Sequence, residues 1–135
     1  MGWTSYHTTR YRKMLYKAKR RNWQNLRQEE WWVEGYPNPC VIVGKWHICK
    51  IEDNLSTSQI EIDPTTLCQC TGLTDDNYKW IWENDIISTP YCRFVVTFRD
   101  GVFGDRDGTP MLRSIFGEGG VVIGNIFDNP ELVPE

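Results

Sequence analysis

The first 28 residues of this sequence contain no acidic side chain. Eight of the 15 Lys and Arg residues lie there, so this segment has a formal charge of +8. The other 107 residues carry 7 basic and 18 acidic side chains, a balance of −11 that the net charge of −3 conceals. This asymmetry predicts either a polyanionic partner for the basic end or packing of that end on the chain's own acidic body.

The sequence also lacks any apolar run close to the 18 residues that a membrane-spanning helix needs. No apolar stretch follows the basic N-terminal residues, so they do not form a secretory signal. We therefore predict a cytoplasmic protein without a membrane partner. A chain of 135 residues has the size of one domain.

Export signals are missing and the number of cysteines is odd, which favours reduced thiols. The five thiols are those of Cys40, Cys49, Cys68, Cys70 and Cys92. Cys68 and Cys70, like His47 and Cys49, are two residues apart and share one face of a strand. That spacing is too short for a zinc knuckle, so we predict no metal, no disulfide and mostly buried thiols, with Cys40 the expected exposed exception.

Catalytic signatures are scarce. His7 and His47 are the only histidines, and no nucleophile elbow or phosphate-binding glycine loop is present. The carboxylates around position 80 lie beside turn residues, where Asp and Asn usually bond their own backbone. We predict a protein that is not an enzyme and that needs no cofactor.

Short alternating apolar segments separated by Gly and Pro predict a mainly β fold, a small barrel or sandwich. The predicted strands cover residues 32–36, 40–43, 46–51, 58–63, 92–97 and 121–127, with Pro37 ending the first. Asp100-Gly101 suits the tight turn of a hairpin because both central positions need positive φ. Residues 11–26 could form a basic helix, whereas the alternation over residues 14–19 fits a half-buried strand. Pro130 is suited to open a short helix.

Three blocks of sequence resemble the YopX family of phage and prophage proteins. The first two are Tyr16-Lys17-Ala18-Lys19-Arg20 with Trp32-Val33-Glu34-Gly35-Tyr36, and Thr71-Gly72-Leu73-Thr74-Asp75 followed by Lys79, Ile81-Trp82-Glu83 and Asp85-Ile86-Ile87. The third is Val122-Ile123-Gly124-Asn125-Ile126 with Asn129-Pro130-Glu131-Leu132. The resemblance covers about residues 14–135 and leaves 1–13 as an added basic arm.

The resemblance implies a β domain over 14–135, a strand rather than a helix at 14–21, and a phage or prophage origin, so the predicted cytoplasm is that of a host cell. It implies structural roles for the residues of its motifs: Thr71, Gly72, Leu73, Asp75, Glu83, Asp85, Gly124, Asn125, Asn129 and Pro130. Three positions depart from the family pattern. Tyr78 and Asn84 replace glycines, so the turn near Tyr78 should be wider or built differently, and Cys70 replaces an aromatic ring in a buried slot.

For function, we favour a non-catalytic accessory protein that binds another protein. The favoured partner is a host-encoded protein, such as a component of antiviral defence. Nucleic acid stays an alternative, because basic residues interleaved with Tyr and Trp suit phosphates and bases. Its candidate contacts are Arg10, Arg12, Lys13, Lys17, Lys19, Arg20 and Arg21. A small-ligand pocket among Trp31, Trp46, Trp80 and Trp82 is a further alternative, and a homo-oligomer stays open.

Overall fold

The computed structural model describes residues 15–40, 45–51, 57–105 and 120–134. These ranges are mainly β, which confirms the predicted fold class. The strands are β1 (Tyr16–Lys19), β2 (Trp32–Cys40), β3 (Lys45–Ile51), β4 (Thr57–Glu61), β5 (Cys68–Thr74), β6 (Trp80–Trp82), β7 (Asp85–Ser88), β8 (Arg93–Val95), β9 (Thr97–Arg99), β10 (Val102–Gly104) and β11 (Val121–Asn125). Short 3-10 turns lie at Trp23–Asn25, Gln28–Glu30, Pro64–Thr66 and Pro130–Leu132.

The strands form three antiparallel sheets. The first has six strands in the order β4-β3-β2-β1-β5-β6, the second pairs β9 with β10, and the third has the order β11-β7-β8. Of the two predicted β architectures, the described ranges do not form a closed barrel. The chain divides inside β5 into two compact units, which we call the N-terminal unit (described residues of 15–69) and the C-terminal unit (described residues of 70–134). The prediction of one domain over 14–135 stays a prediction.

In the N-terminal unit each of the first strands contributes to one apolar core. Ala18 of β1, Val33 of β2 and Ile48 of β3 pack with Ile62, which follows β4. A bridge between Arg20 and Ile62 links the end of β1 to the end of β4. The early segment is thus a strand, as the family resemblance implied: all four residues of β1 pair with β2, and Ala18 faces this core.

The predicted end of β2 at Pro37 is wrong, because the strand continues through Pro37 and Pro39 to Cys40. β2 pairs with β1 as far as Gly35 and with β3 from Tyr36 onwards. Pro37 and Pro39 are two residues apart, so their nitrogens lie on the same edge of the strand. Asn38 lies between them and directs its N–H to the other edge, where a partner strand can accept it. Composition alone does not reveal which edge is paired.

In the C-terminal unit, Ile81, Ile87 and Val96 form a second apolar core. The predicted hairpin is confirmed: Asp100 and Gly101 have φ values of 54° and 80° between β9 and β10. The strand predicted before it is interrupted at Val96. The Val96 N–H donates to the carbonyl of Asp85 (2.8 Å) and its own carbonyl accepts from Asn84 (2.8 Å), so this residue bonds the first residue of β7 and the turn that precedes it.

No helix in the described ranges is long and apolar enough to cross a membrane.

Candidate binding surface

A lysine lies buried among tryptophan rings in the N-terminal unit. The Lys19 side chain is 1% exposed, and its Nζ lies 3.7 Å from the ring centroid of Trp23, 4.3 Å from that of Trp31 and 5.6 Å from that of Trp32. Ammonium groups are attracted to the negative faces of aromatic rings, most strongly to those of Trp. We call these four residues the lysine cage.

Local structure assembles the lysine cage. Lys19 lies opposite Trp32 in the β1–β2 register, so both side chains point to the sheet face away from the core residues Ala18 and Val33. The two 3-10 turns between β1 and β2 then place Trp23 and Trp31 edge to face, 5.1 Å apart, over the lysine. The Trp31 Nε1–H donates to the carbonyl of Leu26 (3.1 Å), which fixes the second ring.

Beside the end of β4 the same unit has an open cleft of about 450 Å³. Its lining residues, which define the β4 cleft, are Arg21, Lys45, Trp46, Glu61, Ile62, Asp63 and Pro64. Trp46 is 37% exposed, a large fraction for a tryptophan. Two hydrogen bonds bring the segments together: the Arg21 N–H donates to the Glu61 carbonyl (3.1 Å) and the Ile62 N–H to the Trp46 carbonyl (3.0 Å).

Glu61 is the electrostatic centre of the β4 cleft. Its Oε2 accepts a hydrogen bond from the Arg21 guanidinium, and its Oε1 lies 3.9 Å from the Lys45 Nζ. The Arg21 hydrogen bond lowers the pKa of Glu61, and the charges of Arg21, Lys45 and His47 add to this against the opposite effect of burial. Glu61 is therefore ionised at neutral pH and holds both cations at the cleft.

The predicted nucleic-acid contacts occupy different environments. Arg10, Arg12 and Lys13 lie outside the described residues. Lys17 stacks on Trp32, with its Nζ 4.6 Å from the ring centroid, and Lys19 is enclosed in the lysine cage. Arg20 donates to the Glu30 carbonyl, and Arg21 to Glu61. The four described cations thus contact the protein's own aromatic rings, carbonyl groups and carboxylates.

The four tryptophans of the small-ligand hypothesis also differ in their surroundings. Trp31 belongs to the lysine cage and Trp46 to the β4 cleft. Trp80 and Trp82 lie on β6, the first half-buried and the second 7% exposed. Lys45, Glu61 and Asp63 were not predicted as site residues, because their proximity depends on the β3–β4 register.

The first part of the family motif in the C-terminal unit forms a turn around the buried carboxylate of Asp75. Its Oδ1 accepts the N–H groups of Asn77 (2.9 Å) and Lys79 (2.8 Å), and its Oδ2 accepts that of Val122 (2.9 Å). Burial raises the pKa of Asp75, whereas these three hydrogen bonds and the charge of Lys79 lower it. The lowering effects together outweigh the effect of burial, so the pKa of Asp75 is below its usual value. The carboxylate joins the turn to β11.

The same motif has further side chains bonded to backbone. The Thr71 hydroxyl donates to the Ile81 carbonyl (2.8 Å) and accepts the Leu73 N–H (3.1 Å), beside Gly72, whose φ is 79°. The Asp85 carboxylate accepts the Trp82 N–H (2.8 Å) across the intervening residues Glu83 and Asn84. Asn84 has a φ of 72°, which agrees with its replacing a family glycine.

The last part of the motif is a turn centred on Asn125. Its Oδ1 accepts the N–H groups of Phe127 (3.0 Å) and Asp128 (2.9 Å), and the Asn129 Oδ1 accepts the Asn125 N–H (3.2 Å). A Cβ on Gly124 would lie 2.4 Å from the Asn129 Oδ1. Pro130 then opens a 3-10 turn, at the position where a short helix was predicted.

The cysteines with described side chains lie in three environments. Cys68 and Cys70 are buried, the latter in the slot implied by the family pattern, Cys49 is half-buried and Cys92 is exposed. The side chain of Cys40, the expected exposed thiol, lies outside the described residues. Within those residues no three His, Cys, Asp or Glu side chains are grouped so that they could hold a metal ion, and the prediction of no metal stays a prediction.

The described residues define a mainly β protein with a lysine cage and a charged, tryptophan-bearing cleft. By sequence, the chain matches the family described as YopX protein over residues 19–134. It therefore belongs to the YopX family, and membership indicates a phage or prophage protein. No curated protein matches the chain by sequence.

Proposed function

We propose that this chain is a non-catalytic binding protein whose partner is a protein, and that the β4 cleft is its binding surface. The observation that carries the proposal is that Trp46, which is 37% exposed, and the exposed Arg21 both line this cleft. The few residues that dominate the affinity of protein interfaces are enriched in Trp and Arg, which become desolvated on binding. A phage or prophage origin makes a host protein, such as a component of antiviral defence, the favoured partner.

The charges of the β4 cleft favour a protein over nucleic acid. Arg21 and Lys45 are matched by Glu61 and Asp63, so the formal charge of the lining is zero. Nucleic acid binding depends on an excess of cations that neutralise successive phosphates. Lys17, Lys19 and Arg20 do not provide that excess, because Lys19 is enclosed and the other two contact Trp32 and Glu30.

The openness of the cleft favours a protein over a small molecule. Sites for small molecules enclose most of the ligand surface. The β4 cleft is bordered by the exposed residues Lys45, Trp46 and Pro64, so it presents a surface rather than a cavity. A partner that covers the cleft and its border would bury Trp46 more completely than a small ligand could.

The experiment is affinity capture from a lysate of the host bacterium, followed by titration of each captured protein against the purified chain. We compare the wild type with Trp46→Ala and with the control Tyr91→Ala, which removes an aromatic ring that is 87% exposed and not part of the cleft. The expected result is a direct interaction that Trp46→Ala weakens at least about tenfold, since hot-spot truncations cost about 2 kcal/mol or more. Tyr91→Ala should bind like the wild type.

Two results would contradict the proposal. Equal affinity of the wild type and Trp46→Ala for every captured protein would place the binding surface elsewhere. Recovery of nucleic acid alone, released by moderate salt, would favour the alternative based on phosphate contacts.

A further inference from the structure

The hydrogen-bonding groups of the β4 cleft are unequally used. The Glu61 carboxylate faces both Arg21 and Lys45, and the Asp63 Oδ1 accepts the N–H (3.1 Å) and the hydroxyl (2.7 Å) of Thr65. A guanidinium has five N–H donors and an ammonium three. In the described residues Arg21 uses one side-chain donor on Glu61, and Lys45 lies at 3.9 Å, beyond hydrogen-bond length.

The cleft is therefore neutral in charge but rich in donors. Both cations extend into solvent, since the side chains of Arg21 and Lys45 are 62% and 47% exposed, whereas that of Glu61 is 29% exposed. A ligand that approaches the cleft meets the cations before it meets the carboxylate. The unused N–H donors of these two cations suit a ligand that accepts hydrogen bonds and carries one or two negative charges.

Trp46 adds an apolar requirement. It follows Lys45 on β3, so the two side chains leave opposite faces of the strand, and both residues line the open cleft together with Pro64. A ligand that spans the cleft can therefore place an apolar group on the Trp46 side and an acceptor on the side of the two cations. A polyanion would bring more negative charge than two partly neutralised cations can match. A peptide segment with one carboxylate beside an apolar side chain has both of the required groups.

We propose that the β4 cleft recognises a partner segment in which an acidic residue adjoins an apolar one, with the carboxylate held by Arg21 and Lys45 and the apolar side chain on Trp46. This inference rests on the proposed function and specifies the partner's chemistry. Glu61 acts as a positioning residue that holds both cations and competes with the ligand for them. Its removal by an isosteric amide should therefore strengthen the binding of an acidic peptide.

The test uses three probes with the full chain: the blocked peptide acetyl-Gly-Leu-Glu-Leu-Gly-amide, the same peptide with Gln for Glu, and the same peptide with Lys for Glu. Binding is followed by the indole N–H resonance of Trp46, assigned with Trp46→Phe. We expect the Glu peptide to bind about tenfold to a hundredfold more tightly than the Gln peptide, the range of a charge-assisted hydrogen bond. The Lys peptide should bind most weakly.

Two variants test the roles of Glu61 and Lys45 by the direction in which each changes the affinity for the Glu peptide. Glu61→Gln should tighten the Glu peptide severalfold, and Lys45→Gln should weaken it. Weaker binding of the Glu peptide by Glu61→Gln, or tighter binding of the Lys peptide by the wild type, would overturn the inference. A larger shift of the Trp46 resonance by an oligothymidylate than by the Glu peptide would overturn it in favour of nucleic acid.

The proposed function and this inference can fail separately. If Trp46→Ala abolishes binding to a captured host protein while none of the peptides shifts the Trp46 resonance, the inference is wrong and the proposed function stands. If the Glu peptide binds as expected but no protein depends on Trp46, the proposed function is wrong and the cleft is an acceptor-binding site of another kind.

Discussion

The two units of the chain stabilise their buried charged side chains by different interactions. The N-terminal unit buries the cation Lys19 against tryptophan rings, which attract it without fixing its direction. The C-terminal unit buries the carboxylates of Asp75 and Asp85 and holds them with backbone N–H groups at 2.8–2.9 Å. The first arrangement depends on the area and position of the rings, whereas the second depends on the geometry of particular turns.

This difference shows how each unit should respond to substitution. A group held by rings can be replaced in part by an apolar chain of similar length, because the aliphatic stem of a lysine is itself apolar and suits the same surroundings. A carboxylate that accepts several backbone N–H groups has no such substitute, because every lost acceptor leaves a donor unpaired. The predictions below test this contrast and are ordered by the size of the expected effect.

The largest effect is expected for Lys19→Ala. The side chain is 1% exposed, and its loss would leave a void beneath Trp23 and Trp31. We expect the free energy of unfolding to fall by about 2–5 kcal/mol, the range for truncating a long buried side chain to Ala. Urea unfolding followed by tryptophan fluorescence measures the change.

Lys19→Met is the matched control, because it keeps most of the stem and removes the charge. Our contrast predicts that it recovers more than half of the loss caused by Lys19→Ala. If both variants are equally destabilised, attraction of the ammonium to the rings dominates and the lysine cage requires a cation.

Gly124→Ala should cause the next largest loss. The added Cβ would lie 2.4 Å from Oδ1 and 2.6 Å from Cγ of Asn129, whose backbone N–H is bonded to Asn125 at 2.8 Å. Since Asn129 is held at both its backbone and its side chain, relief of the clash requires the turn to open. We expect a loss of about 1–3 kcal/mol, as for other overpacked sites, measured by thermal and urea unfolding.

The double variant Gly124→Ala with Asn129→Ala separates the clash from a general intolerance of alanine. If the clash is the cause, the double variant should be more stable than the sum of the two single effects predicts. Strict additivity would show that Gly124 is required for another reason.

Asp75→Asn tests the carboxylate-held turn directly. An amide in this site would place an NH₂ group against N–H donors of Asn77 and Lys79 or of Val122. We expect a loss of about 1–3 kcal/mol at neutral pH, because at least one buried donor loses its acceptor. A variant as stable as the wild type would show that the turn does not need a charged acceptor.

The free energy of unfolding of the wild type should also depend on pH through the ionisation of Asp75. The pKa of Asp75 is lowered in the folded protein from its usual 3.8, so its ionised form stabilises the fold above that value. This stabilisation is lost as the pH falls below about 4 and through the lower pKa of the folded state. Asp75→Asn should remove this part of the acid dependence, measured as the difference between the two unfolding curves from neutral to acidic pH.

The two units also show how much of the fold could be predicted from sequence. The hairpin at Asp100-Gly101 was predictable because positive φ at two adjacent positions is a local requirement that few residue pairs meet. The passage of β2 through Pro37 and Pro39 was not, because it depends on which edge faces β3. Local turn chemistry is written in the sequence, whereas pairing between edges is not.

The candidate site was predicted only in part, for a related reason. Trp46 was a candidate as one of the four tryptophans of a small-ligand pocket, but the neighbouring residues Lys45, Glu61 and Asp63 come together only through the β3–β4 register. Lys19 was predicted as a nucleic-acid contact from its place in a basic segment. Its burial depends on two 3-10 turns that fold over the sheet, which no pattern around Lys19 indicates.

The smallest effect is expected for Tyr78→Gly, and its sign is opposite to the others. The sequence predicted that the turn would be wider or differently built where Tyr78 replaces a family glycine. The turn is not opened: the Tyr78 N–H donates to the Asp75 carbonyl (3.0 Å), and Tyr78 itself adopts a φ of 63°.

The expected gain for Tyr78→Gly is the difference of two backbone effects. A non-glycine residue with positive φ is destabilised by about 1–2 kcal/mol, whereas a glycine costs about 0.5–1 kcal/mol through the greater freedom of the unfolded chain. Since the ring is 88% exposed and contributes little packing, we expect a net stabilisation of about 0.5 kcal/mol, measured by urea unfolding. Tyr78→Ala, which keeps the strain and removes the ring, should leave stability unchanged or slightly lower. A loss of stability in Tyr78→Gly as large as in Tyr78→Ala would show that the exposed ring, and not the backbone, determines the choice of residue in this turn.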